Sequence, residues 1–477
     1  MEEVAVKDSL VSFTNSEGAE IRATLIRLSR QSAFFEIHSP NSVLKSSEVL
    51  SDFRIVWQDR DLYSGRAVIA NLVTAGTSAL GEAELEEPWD RIWAQEKHGG
   101  AENLTADYQE FFAEWQKLYR VRPEFKELVA DFQTFLTDLR LWLEQIELRV
   151  RAQPTGSRLD SERQAAHELA QPVIASIDNF IDRFEHFATA LPLELQPVHR
   201  SYLRRQLHPL LLASPFAYRT FRKPLGYAGD YEMVNMMLRQ PCEGSTLFAK
   251  LINIWLLGQA PVAAHRNRIT YLTQKLTEET LRCRASGQRP RIFNLGCGPA
   301  VEIENFLQAS FLSDLPSFTL LDFNEETLTH VRARLEGAKR QHGRHPQLNI
   351  VKKSVNQVLK DGARYNGSDP ALTYDLVYCA GLFDYLSDQV CKRLMTIFYE
   401  MLAPGGLLIA TNVSETMNAS HPFRYSMEYI LDWHLIYRTA QQVAALAPDA
   451  APPDQCRTLG EDLGVNIFLE VRKPPHG

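Results

Sequence analysis

The chain has no run of about 18 apolar residues, the length that a membrane-crossing helix requires. Its first residues, Met-Glu-Glu-Val-Ala-Val-Lys-Asp, offer neither a basic start nor an apolar segment. No membrane span or secretory leader is expected, and a cytoplasmic location is. Cysteine is scarce, with six in 477 residues and none in a Cys-x-x-Cys pair, which speaks against a disulfide framework or a zinc site. No metal is expected. A basic excess is also missing: 51 Lys and Arg face 59 Asp and Glu, for a net charge of −8. A nucleic-acid partner held by a broadly basic surface is therefore disfavoured. What remains is an ordinary globular composition, 45% hydrophobic and 23% charged. The length suits about three domains.

The most informative stretch is Arg291-Ile-Phe-Asn-Leu-Gly-Cys-Gly-Pro-Ala-Val-Glu302. A short apolar strand, Ile292 to Leu295, enters a Gly296-Cys297-Gly298 turn, and a helix continues through Ile303 and Phe306. The glycines let the backbone bend sharply and approach a ligand without a Cβ in the way. Such a turn holds something at the carboxyl end of a strand, a dinucleotide included. Cys297 reads as a small filler of the turn and not as a nucleophile. A second strand, Phe318 to Leu321, closes on Asp322, about 24 residues past Gly298, near the spacing of an acid on ribose hydroxyls. Tyr374 to Cys379 reads as a buried strand followed by Ala380-Gly381. Gln389 to Leu402 has helical spacing, Ala403-Pro404-Gly405-Gly406 ends it, and Leu407 to Thr411 is the next strand.

Leu-Gly-Cys-Gly, Leu-Asp at a strand end, Asp-Leu-Val in a central strand and Leu-Ala-Pro-Gly-Gly-Leu-Leu recur in this order in the class I S-adenosylmethionine (SAM) methyltransferases, which the region from Phe293 to about Val471 resembles. The resemblance implies a Rossmann-like α/β domain with a seven-stranded sheet over residues 286–477 and SAM as cofactor. It places Gly296, Cys297 and Gly298 beneath the methionine part and Asp322, with Phe323 beside it, on the ribose. Ser354 and Val355 would border adenine, and Cys379, Ala380 and Gly381 would lie near the transferring methyl. Asn294 stands where the superfamily commonly has an acid that meets the methionine ammonium. Arg266 or Arg268 is the candidate for the methionine carboxylate.

The first 95 residues read as an all-β barrel. Val11 to Phe13, Ile21 to Leu28 and Ala33 to Ile37 are short strand candidates, and Phe53, Ile55 and Trp57 alternate with Arg54, Val56 and Gln58. The segment from Arg22 to Phe35 is similar to PilZ domains, which implies a cyclic dinucleotide as a candidate ligand. The pattern departs from that family: Arg27 stands at the Asp position, Ser32 at the Gly position, and no arginine pair with the right spacing precedes it. Arg22, Arg27 and Arg30 remain candidate phosphate donors, and a barrel used for docking is the competing reading.

Residues 96–285 read as helical. Tyr108 to Tyr119, Phe125 to Ile146 and Val173 to Phe187 carry aromatic-rich stripes that suit a helix–helix core or a homodimer face. A loop, Gly226-Tyr-Ala-Gly-Asp230 followed by Tyr231, combines glycines with side chains that suit either a ligand contact or a structural turn. With Lys-Pro-Leu before this loop, the glycine turn, and Tyr425-Ser-Met-Glu-Tyr-Ile-Leu-Asp-Trp-His-Leu-Ile-Tyr-Arg438, the chain resembles the bacterial 3-hydroxypalmitic acid methyl ester biosynthesis group of quorum-signal methyltransferases. That resemblance implies a small acyl substrate methylated on its carboxylate. Tyr227, His421 and Arg438 are the candidate catalytic residues, and Asp230 and Tyr231 of the loop, Asn412 at a strand end, and Trp433 and Tyr437 on a helix near 433–438 are candidates for the substrate wall. A hydroxyl or amine acceptor would call for a base, for which His421, His434 and Asp384 are available. Methylation of a protein or RNA, and a regulatory protein that binds SAM without turnover, are the alternatives.

Overall fold

A computed structural model describes residues 9–29, 31–37, 44–57, 60–75, 78–86, 120–152, 158–239, 241–362 and 373–475, with isolated positions between 105 and 116. The stripe expected over 108–119 falls largely outside these residues, as does Arg30.

Six antiparallel strands close the N-terminal barrel: β1 (Ser9–Thr14), β2 (Glu20–Leu28), β3 (Ser32–Ile37), β4 (Val49–Trp57), β5 (Arg60–Ala75) and β6 (Ser78–Leu85). Their order is β1-β2-β3-β6-β5-β4, and β1 pairs with β4 to shut the ring. The alternation read in the sequence is the inward row: Val11, Phe13, Phe35, Phe53 and Ile55 are each 2% exposed or less, and closure leaves no open edge. Phe13 stacks on Phe53 with ring centroids 5.6 Å apart. Arg22 pairs with Glu20 at the surface and Arg27 lies over the Phe34 ring.

Helices follow: α1 (Pro123–Arg151), α2 (Arg158–Thr189), α3 (Gln196–Leu211), α4 (Pro215–Arg222), α5 (Tyr231–Leu238), α6 (Leu247–Leu257) and α7 (Ala260–Ala285). The aromatic stripes form core, as the Phe132–Phe180 stack at 4.9 Å illustrates. No single helix among the described residues is long and apolar enough to cross a membrane.

The C-terminal sheet has seven strands in the order β12-β13-β11-β10-β7-β8-β9. They are β7 (Arg291–Leu295), β8 (Ser317–Asp322), β9 (Gln347–Lys352), β10 (Tyr374–Cys379), β11 (Leu402–Val413), β12 (Cys456–Gly460) and β13 (Asn466–Arg472). The five strands from β11 to β9 run parallel, while β13 runs antiparallel to both of its neighbours, β11 and β12. Helices α8 (Val301–Ala309), α9 (Glu325–His342), α10 (Val355–Asp361) and α11 (Asp388–Glu400) make the crossovers. The chain leaves β7 toward β8 on one side and reaches β10 on the other, so a crevice opens outside the carboxyl ends of these strands.

After β11 come α12 (Met417–Ser420), α13 (Arg424–Ile430) and α14 (Ala440–Ala445). The helix expected near 433–438 is not formed, and that segment is irregular. Asp432 takes φ 54°, a left-handed conformation that ends a helix and that Asp tolerates better than most residues. The Trp433 N–H turns back to the Met427 carbonyl at 2.9 Å.

Candidate functional site

The crevice opens into a cavity. Its floor comes from strand ends: Asn294 in β7 with Gly296, Cys297 and Gly298 after it, Asp322 closing β8 with Phe323 after it, Lys353 and Val355 after β9, and Ala380 and Gly381 after β10. Gly298 has φ 51° and its missing Cβ would point into open space, so backbone is presented there to whatever occupies the cavity. Asp322 is 7% exposed. Its Oδ1 accepts from the Asn324 N–H at 3.0 Å and its Oδ2 from the Gly298 N–H at 3.3 Å. Burial raises its pKa, and the two amides and Lys45 oppose that.

Helix α7 brings a cation to the same space. Arg268 is 8% exposed, and among the described residues its hydrogen-bond partner is His265, at 3.0 Å. Several donors of a buried guanidinium are therefore left for a ligand. Gly381 makes room for it: a Cβ there would lie 2.8 Å from Arg268 Nη2. Burial and Arg268 push the His265 pKa well down, which keeps the imidazole neutral. On the first turn of α8, Glu302 accepts from Tyr378 Oη at 2.7 Å and from Asn294 Nδ2 at 3.4 Å. Asn294 Oδ1 is buried without a partner, an acceptor that such burial leaves costly until something donates to it. The site thus offers a cation and, near it, a carboxylate with a free amide oxygen, a donor set that fits an α-amino acid zwitterion.

The remaining wall is apolar, with Met233, Pro261, Met417, Met427, Trp433 and Leu435 in the lining. Polar groups interrupt it. Trp433 Nε1 donates to Tyr385 Oη at 2.9 Å. Asp384 accepts from the Val413 N–H at 2.6 Å, and burial raises its pKa against the pull of Arg268.

Residues 293–408 match the family model described as "Methyltransferase domain". That segment is similar to methyltransferase domains. No curated protein matches the chain. Among solved structures, one described as a possible exported protein from Bordetella parapertussis is 17% identical, covering 65% of this chain and 98% of that one at a TM-score of 0.42. The N-methyltransferase NodS from Bradyrhizobium japonicum WM9, in complex with S-adenosyl-L-homocysteine, is 15% identical over 51% of this chain and 98% of its own, with a TM-score of 0.29. An O-methyltransferase family protein from Burkholderia thailandensis is 12% identical over 60% and 75%, with a TM-score of 0.32.

Of the residues singled out in the sequence, the cavity gathers Tyr227, Tyr231, Arg268, Asn294, Gly296, Cys297, Gly298, Asp322, Phe323, Val355, Ala380, Gly381 and Trp433. Others stand outside its lining. Arg438 is 1% exposed and fully engaged: it bonds Asp388, the Phe383 and Leu386 carbonyls, and Asn412 Oδ1 at 2.5 Å. It ties β11 to the turn before α11 and has no donor free for an acceptor; Asn412 is its partner. His421 caps α12, with its N–H on the Met417 carbonyl at 2.7 Å. Asp230 caps α5 through the Met233 N–H and pairs with Arg219 at 3.0 Å. Ser354 caps α10, and Cys379 is buried in the sheet core. Tyr437 packs its ring under Arg424 at 4.7 Å. Of the candidate bases, Asp384 lines the cavity, whereas His434 sits against the barrel and receives the Ser46 and Ser47 hydroxyls on its carbonyl.

His265, Glu302, Tyr385 and Lys45 also line the cavity and were not singled out in the sequence. The basic stretch on α7, about 30 residues before the glycine turn, offered Arg266 and Arg268, and it is Arg268 that lines the cavity, while Arg266 bonds the Met237 and Leu257 carbonyls. One turn earlier on the same helix face, His265 carried the same signal.

Proposed function

We propose that the chain transfers a methyl group from SAM to a small acceptor with an apolar body and a carboxylate, of the hydroxylated fatty acid type, giving a methyl ester. The observation that supports this is one cavity in which the glycine turn and Asp322 share walls with methionines and Trp433. Asp322 would accept from the ribose hydroxyls, Arg268 would hold the carboxylate of the methionine part, and Glu302 with Asn294 Oδ1 would take its ammonium. Glu302 then supplies the charge that Asn294 lacks. Bound there, the sulfonium supplies an activated methyl group.

The chain's task is to strip water from the acceptor and hold its oxygen in line with the methyl, roughly 3–3.5 Å away. A carboxylate with a pKa of about 4–5 is ionised at neutral pH and needs no base. Neutral His265 and the Tyr385 hydroxyl are the polar groups on hand to orient it. Methionines suit an acyl chain, because their unbranched side chains repack around flexible apolar shapes.

The test is incubation of the purified protein with methyl-labelled SAM and bacterial lipid, protein and RNA fractions. Label in a base-labile lipid ester is the expected outcome. Label confined to RNA or protein would overturn the acceptor assignment, and no SAM binding at all would overturn the reading as a whole.

A further inference from the structure

The barrel touches the cavity directly. Its segment Leu44 to Glu48 is buried throughout, with Ser47 and Glu48 at 0% exposure. Three contacts fasten it, with Val49 beside it, to Tyr385 in the cavity lining and to Gly226 and His434. The Ser46 N–H donates to the Tyr385 carbonyl at 3.0 Å, the Val49 N–H donates to the Gly226 carbonyl at 2.9 Å, and the Ser47 hydroxyl donates to the His434 carbonyl at 2.9 Å. Ser47 holds φ 59°, a conformation that costs energy for any residue with a Cβ and that the surrounding bonds must enforce. Glu48 shapes the segment from inside by accepting from the Lys45 N–H at 2.8 Å and the Ser16 N–H at 2.6 Å.

Lys45 is the outcome of this shaping. Its side chain is 5% exposed, and its Nζ lies 3.0 Å from Glu17 Oε1 and 4.0 Å from the centroid of the Phe323 ring. Glu17 in turn accepts from Asn356 Nδ2, on α10, at 3.1 Å. A buried ammonium is costly unless paired, and a barrel that merely docked could fasten itself with apolar side chains. This one places a cation in the lining of the cavity, on the ring that directly follows the Asp322 carboxylate.

We propose that Lys45 is a cofactor-site residue supplied by the barrel, acting at the adenosine part of SAM beside Asp322 and Phe323. This rests on the function proposed above. The barrel is then a wall of the active site, and SAM affinity depends on how the barrel is seated.

The test uses the full chain, with SAM and 5′-methylthioadenosine as probes in titration calorimetry. Methylthioadenosine keeps the base and ribose but lacks the amino acid group. Lys45→Met should raise the Kd for both probes by the same factor, roughly tenfold, as expected for losing one desolvated cation contact. Lys45→Arg, which keeps the charge, should restore affinity to within about threefold. Should the Met variant fail to fold, Lys45→Gln takes its place in the comparison. Unaltered affinity in a folded, charge-less variant would overturn the inference and leave Lys45 as a structural pair with Glu17. So would a loss confined to SAM. Failure of the wild-type protein to bind SAM would instead defeat the proposed function itself.

Discussion

At the scale of single residues, the site works by leaving buried groups unfinished. Asp322 spends one lone-pair direction on each of two amides, and a carboxylate has about four such positions to offer. The free ones fit vicinal hydroxyls. Replacing Asp322 with Ala should remove two charge-assisted bonds worth about 3 kcal/mol together, a loss of roughly a hundredfold in SAM affinity. Calorimetry reads this directly, and an unaltered Kd would mean the ribose lies elsewhere. The placement of the Gly296–Gly298 turn and Asp322 at strand ends was legible in the sequence because it is set by chain-local geometry: a strand, a tight turn and a fixed interval to the next strand end. Arg438 was misread for the opposite reason. A cation among aromatic residues suggests a ligand, but its partners Asp388, Phe383 and Asn412 come from segments that only the fold assembles.

At the scale of elements, the sheet and its crossovers followed from apolar runs separated by helical spacing, and Tyr374–Cys379 appears with the boundaries expected. The segment after Trp433 did not, since a period-matched run of apolar residues stays helical only until a residue such as Asp432 is locked in a left-handed conformation by distant cations. Helix α13 shows the same dependence on remote groups. Its first amides, from Tyr425 and Ser426, donate at 3.1 and 2.6 Å to Glu185 on α2. Burial, with the nearby negative charge of Glu428, raises the Glu185 pKa from 4.5 to about 7. The folded state therefore binds a proton that the unfolded chain releases between these values. The stabilisation is full below pH 4.5 and is lost as the pH climbs through 7. Its ceiling is about 3 kcal/mol. Glu185→Gln cannot ionise, so urea titrations at pH 5 and 8 should show the wild type losing stability relative to the variant as the pH rises. Parallel behaviour of the two proteins would remove Glu185 from this role.

For the whole molecule, the question is why three regions of such different composition behave as one. Asp432 is their common point. Its Oδ1 is 2.9 Å from Arg204 Nη2 on α3, its Oδ2 is 2.7 Å from Lys223 Nζ after α4, and His434, two residues on, is bonded to the barrel's Ser47. The Lys223 side chain is 0% exposed, and burial lowers its pKa to about 8 even with this partner. The two cations in turn hold the Asp432 carboxyl well below the usual range. Charge repays charge here, so removal of one partner exposes the full desolvation cost of the other. Asp432→Asn is the informative change, because Asn tolerates the same left-handed backbone and takes away only the charge. The variant should lose about 3 kcal/mol of stability at neutral pH, visible as a lower urea midpoint. Asp432 is expected to couple the regions, so that the barrel and the rest unfold together in the wild type and at separate midpoints in the variant, as read by hydrogen exchange of the barrel amides and of the amides around Trp433. A variant that unfolds at the wild-type midpoint in one step would show that the barrel is held by its backbone contacts at Gly226, Tyr385 and His434 alone.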